Sequence, residues 1–150
     1  MKSKTSISDL EKIKIEIRKT SGILLSLDME DRWGSKDKEA LEERGRAFEK
    51  YDSKIEKLRK RLEQKVKRLR KEHPAVLQAW AKAHIQLLND FISRHEEHPV
   101  KYRTELSVAA SEIEEWQKFA AGELNDVDQN IFYVHYDSKE FKKIFGFEIK

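Results

Sequence analysis

The sequence predicts an all-α protein: an elongated antiparallel helical hairpin of coiled-coil type, two further helices that complete a bundle, and a short aromatic C-terminal segment. Three observations carry this. Apolar residues recur every seven positions along 36–72, at Leu41, Phe48, Ile55, Leu62 and Leu69, which is one side of a coiled-coil seam. Five Gly and two Pro in 150 residues are too little punctuation for a sheet-and-turn protein. Charged residues make up 39 % and hydrophobic residues 38 % of the chain, a balance that charge-rich helices on an elongated scaffold produce. The apolar residues are periodic rather than sparse, so the chain is not of the disordered class. Its length fits one domain, 1–150.

Taken in order, Ser6 or Ser8 caps a first helix over 6–27. Leu10, Ile17 and Leu24 repeat at seven, with Ile13 and Leu27 on the neighbouring row. Residues 28–35 form the turn, where Trp33 is read as capping the end of the hairpin. Ser35 caps a long second helix over 36–72, and the acids of its first turn suit the helix dipole. Its second row holds Tyr51, Leu58 and Val66 but also Arg44 and Lys65, so the seam is imperfect. Helix two spans about 55 Å and helix one about 33 Å, so roughly 20 Å of helix two needs cover from elsewhere.

Pro74 and Pro99 each follow a Glu-His pair and mark the starts of helix three, 74–97, and helix four, 99–122. A kink of one long helix at Pro74 is the alternative. Helix three buries Val76, Leu77, Trp80, Leu87, Leu88, Phe91 and Ile92. Helix four buries Leu106, Ala109, Ala110, Ile113, Trp116 and Phe119, and Gly122 stops it. Trp80 and Trp116 are packing anchors. The segment 123–150 holds six of the chain's fourteen aromatics. Its stretch 131–136 is β-prone, yet one short strand makes no sheet. Ser138 caps a short helix that ends before Gly146, and the segment is expected to pack on the bundle or on a partner.

Composition narrows the function classes. Cys is absent, so there is no disulfide framework and no thiolate metal site. The longest apolar run near the N-terminus, Ile23-Leu24-Leu25, is too short for a signal-peptide core, and nothing approaches a membrane span. The expectation is a soluble, cytoplasmic protein with no membrane partner. There is no phosphate-binding glycine loop and no Ser-His-Asp or Cys-His arrangement, so no catalytic residue and no cofactor is nominated. His84 and His95 lie eleven residues apart, about 16 Å along a helix, and cannot share a metal. His95 and His98 stand beside Glu96 and Glu97 without an HExxH or ExxH motif. No metal site is assigned, and the histidines are read as one core-edge residue and exposed loop residues.

The sharpest charge feature is 57–71. It contains Lys57, Arg59, Lys60, Arg61, Lys65, Lys67, Arg68, Arg70 and Lys71 against one acid, Glu63, a net of +8 in a chain whose total is +3. Such a cluster can neutralise phosphates of a nucleic acid or dock another anionic surface. Pairing with Glu96, Glu97, Glu112, Glu114 and Glu115 on later helices is the structural alternative. No aromatic interleaves with these cations, which argues against base stacking on a single strand.

Arg68 and His73, separated by four residues, resemble the Arg-x4-6-His signature of the helical nucleases known as HEPN domains. The resemblance implies that these two residues act on RNA at a dimer interface. It covers two residues, and here the pair closes the second helix, whereas the family places it near the start of a late helix.

The function expected is a non-enzymatic interaction module, such as an adaptor, chaperone or assembly factor, working with a protein partner or a second copy of the chain. Nucleic-acid binding through 57–71 stands second, and a helical ribonuclease acting through Arg68 and His73 stands third.

Overall fold

The computed structural model describes residues 6–124 and 136–148. Within them the chain is all-α, with helices α1 (Ile7–Trp33), α2 (Lys38–Glu72), α3 (Pro74–His95), α4 (Arg103–Ala120) and α5 (Ser138–Phe145). The β-prone residues 131–135 lie outside the described part.

Ser6 opens α1 with a reciprocal cap. Its hydroxyl accepts the Asp9 backbone N–H, and the Asp9 carboxylate accepts the Ser6 N–H, each at 3.2 Å. The helix does not stop near Leu27 but runs six residues further. Nothing from Asp28 to Trp33 opposes helical geometry, and Arg32 pairs with Asp28 one turn back at 3.4 Å. Gly34 is where it ends. The Gly34 N–H reaches Glu30 O at 2.6 Å, and a Cβ at this position would stand 2.5 Å from the same oxygen. The chain then turns through Ser35, whose hydroxyl accepts the Asp37 N–H at 3.2 Å, and α2 begins at Lys38.

Pro74 breaks the helix. His73 adopts φ −144° and ψ 64°, outside helical space, and Pro74 is the first residue of α3. Pro99 behaves differently. It lies inside a turn closed by the Tyr102 N–H on His98 O at 3.2 Å, and α4 starts four residues later at Arg103. Gly146, at φ 80°, terminates α5 in the left-handed region that favours glycine.

Helices α1 and α2 form one antiparallel hairpin and α3 and α4 a second. Lys54 reaches Glu16 at 3.6 Å and Arg44 reaches Asp31 at 3.7 Å, which sets the α1–α2 register. The bundle core joins Leu10, Ile13 and Ile17 of α1 to Leu62, Val66 and Leu69 of α2. Against them pack Leu77, Trp80, Leu87 and Phe91 of α3, and Ala109, Trp116 and Phe119 of α4. Trp80 and Trp116 meet edge to face at 5.0 Å. The aromatic segment closes on the bundle, with Phe141 and Phe145 buried and α5 lying against α1 and α3. The buried row of α4 is Ala109, Glu112, Trp116 and Phe119, so Ala110, one step round the helix, is exposed rather than in the core.

The core occupies only one end of the first hairpin. No residue from Ser21 to Lys54 is buried. This stretch projects as a two-helix stalk, about 20 Å long at 1.5 Å per residue from Ser21 to Trp33. Two seam residues expected to face other helices are therefore open: Leu41 is 40 % and Phe48 44 % exposed. The reason is length. A 22-residue α3 that starts beside His73 can cover α2 back to about residue 51 and no further. Trp33 does not cap the hairpin; it is 84 % exposed, and Arg44 closes the end instead, donating to Ser35 O at 2.5 Å.

The two halves of the heptad row should respond differently to a charge. Ile55→Asp buries an unpaired carboxylate and is expected to cost at least about 3 kcal/mol. Leu41→Asp places the same group on an open surface and is expected to cost less than about 1 kcal/mol. Thermal unfolding of both variants checks this; equal melting points would contradict the stalk.

Candidate functional site

The nine cations of 57–71 do not share one role. Arg70 is structural: its two terminal nitrogens donate to Phe119 O and Leu124 O, each at 2.9 Å, and its guanidinium lies 4.8 Å from the centre of the Phe119 ring. It thereby ties the end of α2 to the end of α4, where carbonyls lack helical partners. Lys67 pairs with Glu63 on its own helix at 3.2 Å. Arg68 is exposed and makes contacts of its own. Among the described residues, Lys57, Arg59, Lys60, Arg61, Lys65 and Lys71 have no ion-pair partner within 4.0 Å. Glu114, one of the acids considered for pairing, turns to Lys118 at 3.7 Å.

Helix geometry sorts these side chains by face. Ile55, Leu62, Val66 and Leu69 point into the bundle. On the opposite side, at 100° per residue, lie Lys57, Lys60, Arg61, Lys67, Arg68 and Lys71, with Gln64 between them. Arg59 and Lys65 flank the buried row.

His73 is exposed at the α2–α3 junction, five positions beyond Arg68. His95 stacks on Phe91 at 4.1 Å and donates from Nδ1 to Phe91 O at 2.9 Å. His98 is exposed. No group of three His, Asp or Glu that could hold a metal ion is present among the described residues.

The fourth described histidine lies deeper than the core edge. His84 is 1 % exposed and sits in a buried polar network. Its Nε2–H donates to Glu11 Oε1 at 2.5 Å, and the Trp80 Nε1–H donates to the same oxygen at 2.9 Å. On the other side of the ring, the Tyr136 hydroxyl donates to Nδ1 at 2.8 Å. The imidazole stacks on Trp116, with centroids 4.2 Å apart and planes 5° from parallel. Lys14 and Glu112 are buried nearby and also engaged.

Electrostatics follow from this packing. Burial alone would raise the Glu11 carboxyl, but His84, Lys14 and the Trp80 hydrogen bond outweigh it and hold it at about 2. Burial pushes the His84 imidazole down, and Lys14 and Arg18 push the same way against the pull of Glu11. Burial, with Glu112 and Glu11 beside it, pushes the Tyr136 phenol up. At neutral pH the network is therefore a carboxylate, a neutral imidazole and a phenol, each hydrogen bond having one donor and one acceptor.

Sequence reasoning missed Glu11, Lys14, Glu112 and Tyr136. A signal was available for two of them. Leu10, Lys14 and Ile17 fall at i, i+4 and i+7, and Ala109, Glu112 and Trp116 fall at i, i+3 and i+7, so each charge sits on a core row.

Both shifted groups make stability fall in acid. A folded-state pKa below the unfolded value gives stability that is present above the unfolded pKa and lost as pH drops towards the folded one. For His84 the loss begins near its ordinary value of 6.5, and for Glu11 near 4.5, continuing to about 2. Denaturant unfolding from pH 8 to pH 4 is expected to show declining stability below pH 7, with a smaller decline between pH 7 and 5 in His84→Gln. Glu11→Ala, which strands the Trp80 and His84 donors and Lys14, is expected to cost about 3–5 kcal/mol at pH 7.

No family model matches the chain, and neither a curated protein nor a solved structure matches it.

Proposed function

We propose that this chain is a non-enzymatic interaction module, an adaptor, chaperone or assembly factor, whose docking surface is the stalk. The observation that supports this is a single heptad row that outruns its cover. Ile55, Leu62 and Leu69 are buried, while Leu41 and Phe48 continue the same row into solvent. On α1, Leu25, Met29 and Trp33 add an exposed ridge at i, i+4 and i+8, ending in the open tryptophan.

An amphipathic helix laid along the stalk would cover the row as a coiled-coil or bundle partner does. That helix belongs to a protein partner or to a second copy of this chain. Trp33 and Phe48 supply the large aromatic anchors that dominate such interfaces. The lower half of the row is the model for the upper half: apolar side chains at the same spacing, packed against helices the chain itself supplies.

Two measurements test the reading. Sedimentation of the full chain across a concentration series reports self-association, and a photo-crosslinking side chain at position 48, compared with one at Glu39, reports a different partner in cells. The double variant Leu41→Asp, Phe48→Asp is expected to weaken the association at least 100-fold while leaving helix content unchanged. A monomer at high micromolar concentration that also gives no protein crosslink at position 48 would remove the proposal.

A further inference from the structure

The outer face of α2 below the stalk points to a second binding function, independent of the stalk proposal. We infer that the solvent face of α2 between Lys57 and Lys71 binds the phosphate backbone of a duplex nucleic acid. Lys57, Lys60, Arg61, Lys67, Arg68 and Lys71 fall at i, i+3, i+4, i+10, i+11 and i+14 and make a band of charge about 21 Å long and about 120° wide around the helix. Four of them, Lys57, Lys60, Arg61 and Lys71, have no acid partner among the described residues. Interiors and salt networks of the fold therefore do not account for them.

The chemistry of the face selects among anionic partners. A protein interface centres on apolar and aromatic contacts, and this face has only Gln64 between its cations. A helix lying on a lipid surface buries an apolar side beneath its basic one, but the apolar side of α2 is committed to the bundle through Leu62, Val66 and Leu69. A single strand is held by bases stacked on aromatic rings, and none occurs from Lys57 to Lys71. A duplex asks for none of these. It presents a rigid array of phosphates, one charge per about 1.7 Å of axis, that a band of Lys and Arg can neutralise without reading bases.

The same face changes sign towards the stalk. Glu39, Glu42, Glu43 and Glu49 are all exposed there, around Arg46 and Lys50. A polyanion is attracted to the lower half of α2 and repelled from the upper half, which keeps the proposed duplex clear of Leu41 and Phe48.

The test is fluorescence anisotropy of the full chain with a 20-base-pair DNA duplex between 50 and 200 mM salt. Six phosphate contacts give a slope of log affinity against log salt of about −5, a loss of about 1,000-fold over that range. The variant Lys57→Gln, Lys60→Gln, Arg61→Gln, Lys71→Gln leaves two contacts and is expected to reduce the slope to about −2 and the affinity at 100 mM salt by at least 100-fold. It removes no ion pair, so its melting temperature should not fall, which separates lost binding from lost fold. Arg46→Gln, Lys50→Gln should bind as the parent does. Four outcomes would overturn the inference: no binding at 50 mM salt, binding the fourfold variant retains, tighter binding to the matching single strand, or binding confined to anionic vesicles.

Discussion

A helix of 35 residues runs beside one of 22, and the difference in length shapes the molecule. At 1.5 Å per residue, α2 outreaches α3 by about 20 Å. Whatever lies below the end of α3 gains a two-sided hydrophobic environment, and Ile55, Leu62, Val66 and Leu69 are accordingly buried. Whatever lies above it has only α1 as neighbour. Two helices can shield the line of contact between them but not its edges, so Leu41 and Phe48 stay open although they obey the same repeat. The stalk is held by its register contacts, Lys54 with Glu16 and Arg44 with Asp31, and by the clasp at its end. Pairs of this kind, each with at least one exposed partner, contribute about 0–1 kcal/mol each. Most of the stability must then sit in the bundle end, with the stalk anchored to it by helical continuity.

The bundle end is ordered by polar contacts set among apolar ones. Glu11 of α1 receives hydrogen bonds from Trp80 and His84 of α3; His84 stacks on Trp116 of α4 and accepts from Tyr136, just ahead of α5. One carboxylate and one imidazole thus connect three helices and the aromatic segment. Apolar packing alone tolerates small slips of a helix along its neighbour. A hydrogen bond at 2.5–2.9 Å does not, because a slip strands a buried donor at a cost of about 1–3 kcal/mol. The network is also balanced in charge. Lys14 and Arg18 stand against Glu11 and Glu112, leaving His84 neutral as the bridge, which avoids the uncompensated buried charge that would be most costly.

The all-α class, the hairpin and the break at Pro74 were legible because each rests on a local or periodic signal. A heptad row, a scarcity of Gly and a proline after an extended residue are all visible in one dimension. The stalk was less legible. The row from Leu41 to Leu69 is uniform in sequence, and its division into open and covered halves depends on where α3 ends, which is a three-dimensional fact. The buried network was hidden for a different reason. Lys14 and Glu112 look like the solvated charges around them until their positions are set against the core rows, Glu11 lies off its helix's core row, and Tyr136 lies fifty-two residues from His84, beyond the reach of any spacing argument. His84 could be placed in the core by the row Leu77, Trp80, His84, Leu87 and Phe91, but its partners could not. The cations of 57–71 were visible as a cluster, yet only the structure separates Arg70, which holds the end of α4, from the six on the outer face.

Those six cations act against the helix that carries them. Neighbours one turn apart stand about 5.4 Å from each other, inside the Debye length of about 8 Å at physiological ionic strength, so they repel through the solvent. Each like-charged pair at i, i+4 spacing costs a few tenths of a kcal/mol, and Lys57–Arg61 and Lys67–Lys71 are two such pairs on this face. Lys67 has its charge answered on the same helix, by Glu63, and Arg68 makes contacts of its own. Helix formation gains nothing from this arrangement; acids one turn from the cations would serve it better, as Glu42 stands four residues before Arg46 in the upper half of the same helix. The lower half can carry the repulsion because its opposite face is buried along four residues from Ile55 to Leu69, at about 1.5–3 kcal/mol each. Where burial is strongest, α2 bears its least favourable charge pattern, and the seam without such support above it is nearly neutral. That correlation is what a fold would show if the basic face served a phosphate-bearing partner, since neutralisation by the partner would relieve the repulsion and stabilise the same segment on binding.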